Sequence, residues 1–362
     1  MAAAIYDYLE EHNLLSTAQF GFRSNYSVQD QLLLTYDYIT EEYDRGNIVE
    51  LILFDFSKAF DTVPHSVLID KLFCLGFRNP LLGWLKDFLT GRTMRVVVSG
   101  TRSSSCTVHS GVPQGSVIGP LLFIIFVNHL ITDLNSKYYL FADDLKIFLG
   151  MSMDSDSHQR GVQSLQSDIH LLKSRANSWG LSFAAHKCGR LRLVRSFANV
   201  PPPLLLTIDE QELRCSQSCR DLGLTVDTSL KFHIHVSQIS AKASGISSNL
   251  LRGTICRTPN FMRELYISHI RPLIEFCSPV WNLGYIEDMK RLESIQRRWT
   301  KQVDGLLHVE YYHRLKSLNL YSVWGRLMRA DLILVWKIVT GALPSLSNLL
   351  TPSLLVVTLT NS

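Results

Sequence analysis

Tyr138-Tyr139-Leu140-Phe141-Ala142-Asp143-Asp144-Leu145-Lys146-Ile147-Phe148-Leu149 sets two adjacent carboxylates between two apolar runs. Apolar residues on both sides of a two-residue polar break read as a β-hairpin with Asp143 and Asp144 at its tip. Two anionic side chains at one tight turn repel, so one tends to hold its proton unless a cation lies beside them. A divalent metal makes the arrangement sensible, and a third carboxylate is then required.

Asp55 is the candidate, because it closes the apolar strand that runs from Val49 to Phe56. A continuous apolar run of that length reads as a central, buried strand. A carboxylate at its end can converge with a hairpin tip. Three such groups suit two Mg²⁺ ions about 3.5–4 Å apart, the spacing for in-line phosphoryl displacement. Oxygen-only ligands favour Mg²⁺, with Mn²⁺ as its substitute, over zinc. A lone Asp at a strand end or turn is ordinarily a solvated charge. Here two of the three lie inside apolar segments, where bare charge is costly. On these residues alone a two-metal phosphatase or nuclease stays open. The Asp-x-Asp of dehalogenase-like phosphatases is missing, since Phe56 and Ser57 follow Asp55.

The 362 residues carry 46% hydrophobic and 19% charged side chains, which describes a globular chain with ample core. The net charge of +4 is unevenly spread. Met1 to Asp70 holds 3 Lys/Arg against 12 Asp/Glu, whereas Lys231 to Gly341 holds 16 against 8. That asymmetry suggests a metal-binding half and a half that contacts a polyanion. Seven cysteines without a C-x-x-C pair argue against a disulfide framework or zinc knuckle, and for a reducing intracellular setting, cytoplasm or nucleus. The N-terminus has no basic leader, and the apolar run Val117 to Leu130 is too short and too interrupted to span a membrane.

Along the chain, residues 5–45 read as helices around a Gln19–Tyr26 loop. Pro64 and Pro80 precede amphipathic stretches over Val67–Leu75 and Leu81–Leu89. Arg95–Ser99 and Cys106–His109 read as strands flanking a Ser-rich turn. Val162, Leu165, Ile169, Leu172, Ala176 and Trp179 trace one helix face laid on a sheet. Short strands follow over Leu181–Phe183 and Leu191–Val194, then a hairpin through Asp209-Glu210 and a strand over Leu222–Val226. From Ile234 the pattern is helical, and the composition shift near 230 marks a domain boundary. His233 and His235 form a short H-x-H that reads as two solvated or capping side chains rather than a metal site.

The order of three motifs narrows the chemistry. Leu53-Phe54-Asp55-Phe56-Ser57-Lys58-Ala59-Phe60-Asp61 resembles motif A of reverse transcriptases. Ser110-Gly111-Val112-Pro113-Gln114-Gly115-Ser116 resembles motif B, and Leu140 to Asp144 resembles motif C. The wording is most similar to non-LTR (LINE-type) retrotransposons of the Jockey-like kind. Gln19-Phe20-Gly21-Phe22-Arg23 resembles the segment that precedes motif A. Trp179 to Phe183 with Lys187-Cys188 resembles motif D, and Asp221 to Asp227 the end of the palm. The likeness continues to Gly341 and so covers nearly the whole chain.

The resemblance implies an α+β fold: a right-hand polymerase palm with partial fingers over residues 1–228, then a helical thumb-like region over 229–345 and a tail over 346–362. It implies RNA-directed DNA polymerase activity, in which a primer 3′-hydroxyl attacks a dNTP on an RNA template, with two Mg²⁺ ions. RNA template, DNA primer or target, and dNTP are the implied partners; no membrane is implied, and the oligomeric state stays unknown. By the same likeness Asp55, Asp143 and Asp144 are the metal ligands, assisted by the backbone carbonyl of Phe56. Phe60 occupies the position that crowds a ribose 2′-hydroxyl, the group that separates RNA from DNA building blocks; otherwise it is a core aromatic. Gln114 and Gly115 form the loop over the incoming nucleotide. Lys187 is the general acid near the pyrophosphate, or else a solvated surface charge. Arg291, Arg297, Arg298 and Lys301 meet nucleic-acid phosphates, or else form an exposed face paired with Glu287 and Glu293.

Departures from the pattern are also legible. Only eighteen residues precede Gln19, which leaves no room for the family's Arg-Pro-Ile fingers segment or its upstream endonuclease, as in an N-terminally truncated copy. His129, Ala184 and Gly325 replace the usual Asp, Asn and Arg. An inactive nucleic-acid-binding remnant is therefore the alternative expectation. An RNA-copying RNA polymerase is disfavoured by Phe60 and by Ala142 where Gly is typical.

Overall fold

A computed structural model describes residues 1–195, 200–347 and 349. The chain divides into two units, Met1–Gln31 with Tyr38–Gln217, and Leu32–Asp37 with Ser218–Ser362. Of the tail expected over 346–362, residues 348 and 350–362 lie outside the described residues.

The first unit opens with helix α1 (Ala2–Glu11) and includes both ends of α2 (Val28–Asp44), whose N-cap Ser27 accepts the Asp30 amide. The apolar run forms β1 (Ile48–Phe54), ending one residue before Asp55. Three helices follow: α3 (Ala59–Thr62), α4 (His65–Cys74) and α5 (Leu81–Leu89). Pro64 and Pro80 stand at the caps of α4 and α5, where a missing N–H costs nothing.

A ribbon comes next, with β2 (Thr93–Met94), β3 (Val97–Val98), β4 (Thr101–Arg102) and β5 (Cys106–Thr107). Its turn is at Ser99-Gly100, both with positive φ, and not at the Ser-rich stretch. Backbone geometry outweighed composition there, because Gly100 supplies the left-handed residue that a tight turn needs.

Helix α6 (Gly119–Val127) is apolar all round and buried almost throughout, so it forms the centre of the core. The hairpin strands β6 (Lys137–Phe141) and β7 (Asp144–Met151) lead to α7 (Ser155–Ser178), then β8 (Gly189–Leu193). A small hairpin, β9 (Thr207–Ile208) and β10 (Gln211–Glu212), turns at Asp209-Glu210 as the sequence suggested, and β11 (Cys215–Ser216) closes the unit.

The main sheet has the order β11-β8-β1-β7-β6, with β1 antiparallel to both neighbours: Leu51 faces Phe148 on one side and Leu191 on the other. Ile52 and Phe54 of β1 join Leu145 and Ile147 of β7 in a core with α6. Val162, Leu165, Ile169, Leu172 and Ala176 of α7 complete that core, which is the helix face read from spacing. Each fully buried side chain of this kind contributes about 1.5–3 kcal/mol of transfer free energy. The one charge within β1, Glu50, is fully buried and accepts two bonds from Arg190 at 2.8 Å each.

The second unit begins with Leu32–Asp37 of α2 and the hairpin β12 (Ser218–Asp221) and β13 (Leu224–Asp227). The single strand expected over Leu222–Val226 is thus a turn and one arm; Leu222 and Gly223 both adopt positive φ and reverse the chain. Helices α8 (His233–Gly253), α9 (Pro259–Leu265), α10 (Arg271–Glu275), α11 (Ser278–Trp281), α12 (Ile286–Thr300), α13 (Tyr311–Ser317) and α14 (Val323–Val339) follow, with a π-helical turn at Tyr266–Ile270 between α9 and α10.

The two histidines of the H-x-H at the start of α8 differ: His233 is exposed, as a solvated side chain, whereas His235 is buried. His233 Nδ1 meets Asp288 Oδ2 at 2.6 Å, while His235 accepts the Thr225 amide through Nδ1 at 3.2 Å. No helix among the described residues is long and apolar enough to cross a membrane.

Candidate active site

Asp55 follows β1 directly, and the chain keeps pairing beyond the strand. Its carbonyl accepts the Ala184 amide at 2.8 Å, and the Ser57 amide donates to Ser182 at 2.9 Å. These bonds flank a Phe56–Phe183 bridge, which is all that forms of the strand expected over Leu181–Phe183. Residues of such a non-bonded pair direct their own amide and carbonyl to the other edge. The carbonyl of Phe56 therefore faces the β7 side, while its ring packs on Phe183 at 4.6 Å.

The β6–β7 turn comes one residue earlier than expected. Ala142 and Asp143 make it, and Asp144 already belongs to β7, paired with Phe141. Ala142 takes the turn's left-handed conformation, φ 58°, which costs a non-glycine residue about 1–2 kcal/mol. The loop Ala18–Gly21 supports it. Gln19 Oε1 accepts the Ala142 amide at 3.0 Å and the Gly21 amide at 2.8 Å. Phe20 donates to the Leu140 carbonyl at 2.8 Å, and Leu140 donates to Ala18 at 2.9 Å. Only glycine fits at 21, since a Cβ there would lie 2.3 Å from the Ala142 nitrogen.

The two aspartates consequently differ in environment. Asp143 is partly buried and Asp144 exposed. Burial pushes the Asp143 carboxyl above the ordinary carboxylate range, and the nearby Asp55 carboxylate pushes it the same way. Asp55 Oδ1 lies 3.7 Å from Lys187 Nζ, with both side chains about half exposed. A pair that exposed contributes at most about 1 kcal/mol.

Among the described residues no three Asp, Glu, His or Cys side chains form a ready-made cluster for an ion. The donor chemistry of Asp55 and Asp143 still fits a hard divalent cation. Both offer oxygen, and the Asp143 charge is disfavoured by burial and by its neighbour until a cation compensates it.

On the nucleotide side, Phe60 in α3 stacks on Phe123 of α6, ring centroids 4.3 Å apart at 17°, and meets Phe22 edge-on at 6.4 Å. It stays half-buried, so it is a core contact that also presents a face. The loop carrying Gln114 and Gly115 is tied to α3. Ser110 Oγ donates to the Asp61 carbonyl at 2.8 Å, and the Val112 amide to the Phe60 carbonyl at 2.9 Å. Gly111 has φ +88°, and a Cβ there would come within 2.8 Å of the Asp61 carbonyl oxygen. Gln114 and Gly115 are both exposed.

Arg291, Arg297 and Arg298 are exposed on α12, and Lys301 caps its C-terminus. Arg297 lies over the Tyr311 ring at 4.1 Å, and Arg298 donates to Ser244 Oγ at 2.9 Å. Arg298 and Lys301 border a cleft of about 240 Å³ with Ser244, Ser247 and Ser248. Glu287 pairs with Lys290 at 2.8 Å and also interacts with the Arg291 charge, while Glu293 accepts from the Tyr311 hydroxyl.

Sequence reasoning missed the side-chain role of Gln19 and the acceptor role of Asp61. Gln19 was visible only as a letter in a familiar stretch, because its partner lies 123 positions away.

Residues 1–226 match the family model described as reverse transcriptase (RNA-dependent DNA polymerase). A probable RNA-directed DNA polymerase from transposon BS of Drosophila melanogaster is 25% identical, over 91% of this chain and 37% of that protein. The RNA-directed DNA polymerase from mobile element jockey of Drosophila funebris is 28% identical, over 83% and 33%. The corresponding protein from transposon X-element of Drosophila melanogaster is 25% identical, over 88% and 35%. The chain thus spans about a third of the length of these relatives. Among solved structures, an apo telomerase from Candida tropicalis gives a TM-score of 0.46 at 11% identity, over 87% of this chain and 52% of that one.

Proposed function

The chain belongs to the reverse transcriptase (RNA-dependent DNA polymerase) family, and on that premise we propose that it is the polymerase portion of a non-LTR retrotransposon protein. Its reaction is attack of a primer 3′-hydroxyl on the α-phosphorus of a dNTP aligned on an RNA template, with pyrophosphate leaving. What supports this reading is that Asp55, at the end of the central strand, is near enough to Asp143, on the turn of the neighbouring hairpin, for its charge to disfavour the Asp143 carboxylate.

Asp55, Asp143 and Asp144, with the Phe56 carbonyl, would hold the divalent ions. Bound there, Mg²⁺ or Mn²⁺ supplies charge neutralisation of the triphosphate and a lowered pKa for the primer hydroxyl. Phe60 would fill the space that a 2′-hydroxyl needs. Gln114 and Gly115 would bear on the nucleotide, and Lys187 would leave Asp55 to protonate the departing pyrophosphate. In the second unit, Arg291, Arg297, Arg298 and Lys301 would meet phosphates of the RNA–DNA duplex.

Primer extension on poly(rA)/oligo(dT) with Mg²⁺ tests this reading, comparing the native protein with Asp143→Asn. Incorporation by the native protein that falls by orders of magnitude in the variant is expected. Equal incorporation by both would sink the assignment.

A further inference from the structure

We propose that Gln19 is a positioning residue for the candidate metal ligand Asp143, acting through the backbone of Ala142; the inference rests on the polymerase reading above. Gln19 is fully buried, and its Oε1 is shared between two backbone donors, Gly21 and Ala142. Two donors on one oxygen fix the amide orientation, because a flipped amide would set N–H against N–H. Its Nε2 is buried and has no hydrogen-bond partner among the described residues. Such an orphan donor is costly. The molecule carries that cost at a residue whose oxygen alone makes the useful contacts.

Those contacts stand at a critical point. Ala142 lies between Phe141, the last residue of β6, and Asp143, and it holds a left-handed φ without being glycine. Its amide bond to Gln19 and the Gln19–Leu140 parallel bridge keep the turn from relaxing to the conformation alanine prefers. Relaxation would swing Asp143 away from the edge of β1 where Asp55 sits. Gly21 lets the two backbones approach closely enough for one side-chain oxygen to reach both amides.

The test uses the full chain as native protein, Gln19→Leu, Gln19→Glu and Asp143→Asn. Leucine removes the oxygen at similar volume, while glutamate keeps an acceptor in its place. Backbone hydrogen exchange at Gly21 and Ala142, Mn²⁺ binding by electron paramagnetic resonance, and primer extension are measured together. Gln19→Leu is expected to speed exchange at those two amides while β1 stays protected. It should weaken Mn²⁺ binding by about 10- to 100-fold, the usual effect of losing an outer support of a metal ligand. In extension it should lower kcat with the KM for dNTP unchanged, and Gln19→Glu should recover both properties.

Unchanged Mn²⁺ affinity in Gln19→Leu overturns the proposal. So does loosening spread over the whole unit that Gln19→Glu fails to repair, since that marks a merely structural residue. A native protein that binds Mn²⁺ through Asp143 yet extends no primer overturns the polymerase reading alone, and the Mn²⁺ affinities then decide Gln19. A native protein that binds no Mn²⁺ overturns both.

Discussion

Gln114 Nε2 donates to Asp61 Oδ1 at 2.8 Å, joining the tip of the loop after the β2–β5 ribbon to the helix that follows Asp55. Both side chains are exposed, so the bond orients more than it stabilises. Asp61→Ala should free Gln114 and raise the KM for dNTP about 2- to 10-fold, the equivalent of one ordinary hydrogen bond. Asp61→Asn retains an acceptor and should stay near native. Steady-state extension at varied dTTP measures this, and an unchanged KM in Asp61→Ala would show that Gln114 does not depend on the tie.

Phe60 carries the sugar discrimination in the proposed reaction. Its ring is anchored by the Phe123 stack, so it cannot simply swing aside for a 2′-hydroxyl. Phe60→Val should admit ribonucleotides at least about tenfold more readily relative to dNTP, since a packed clash of this kind amounts to 1–3 kcal/mol. Loss of the stack should also lower the thermal midpoint. Unchanged discrimination in competition between rUTP and dTTP would leave Phe60 a core aromatic only.

Much of the site was legible because its residues interrupt apolar patterns. Asp55 ends a strand and Asp143 breaks a hairpin, and both stand out against their neighbours. The exact turn was not legible, because Ala142 reads as part of the strand until Gln19 is seen holding its φ positive. Glu50 shows the same limit. It sits inside a run that reads as apolar, and Arg190, 140 positions away, together with Arg192 explains how a charge can be fully buried there. Local periodicity predicted α5, the α7 face and the Asp209-Glu210 hairpin well, since those depend on near neighbours. Contacts that close over a hundred residues leave no such periodic trace.

The basic face of α12 leads to a prediction in salt. Arg298 and Lys301 border a serine-lined cleft, and neither is drawn into an ion pair with Glu287 or Glu293. If each meets one phosphate, Arg298→Ala and Lys301→Ala should each reduce the slope of log K against log salt by about 0.7–0.9. The double variant should lose about twice that, with no change in sequence preference. Fluorescence anisotropy with an RNA–DNA duplex across a salt series gives the slopes. A slope equal to the native one in the double variant would make this face a solvated surface.

His235 makes the second unit sensitive to acid. Burial holds its pKa down, the Arg220 guanidinium adds to the effect, and the value falls to about 4. Its Nδ1 accepts the Thr225 amide and its ring meets Trp281 edge-on at 5.6 Å, so the neutral form is the one the fold uses. An unfolded histidine titrates near about 6.5. Between those values the unfolded chain binds more protons, so the contribution is complete above about pH 6.5 and is lost as pH falls toward 4. The loss reaches about 1.4 kcal/mol per pH unit at most. Carboxylates titrate in the same range, so the informative quantity is the difference from His235→Asn, which keeps an acceptor near Nδ1 but cannot be protonated. Urea unfolding followed by tryptophan fluorescence should show the native advantage shrinking by about 2–3 kcal/mol between pH 7 and 4.5. A gap that stays constant would mean that His235 takes up its proton without opposing the fold.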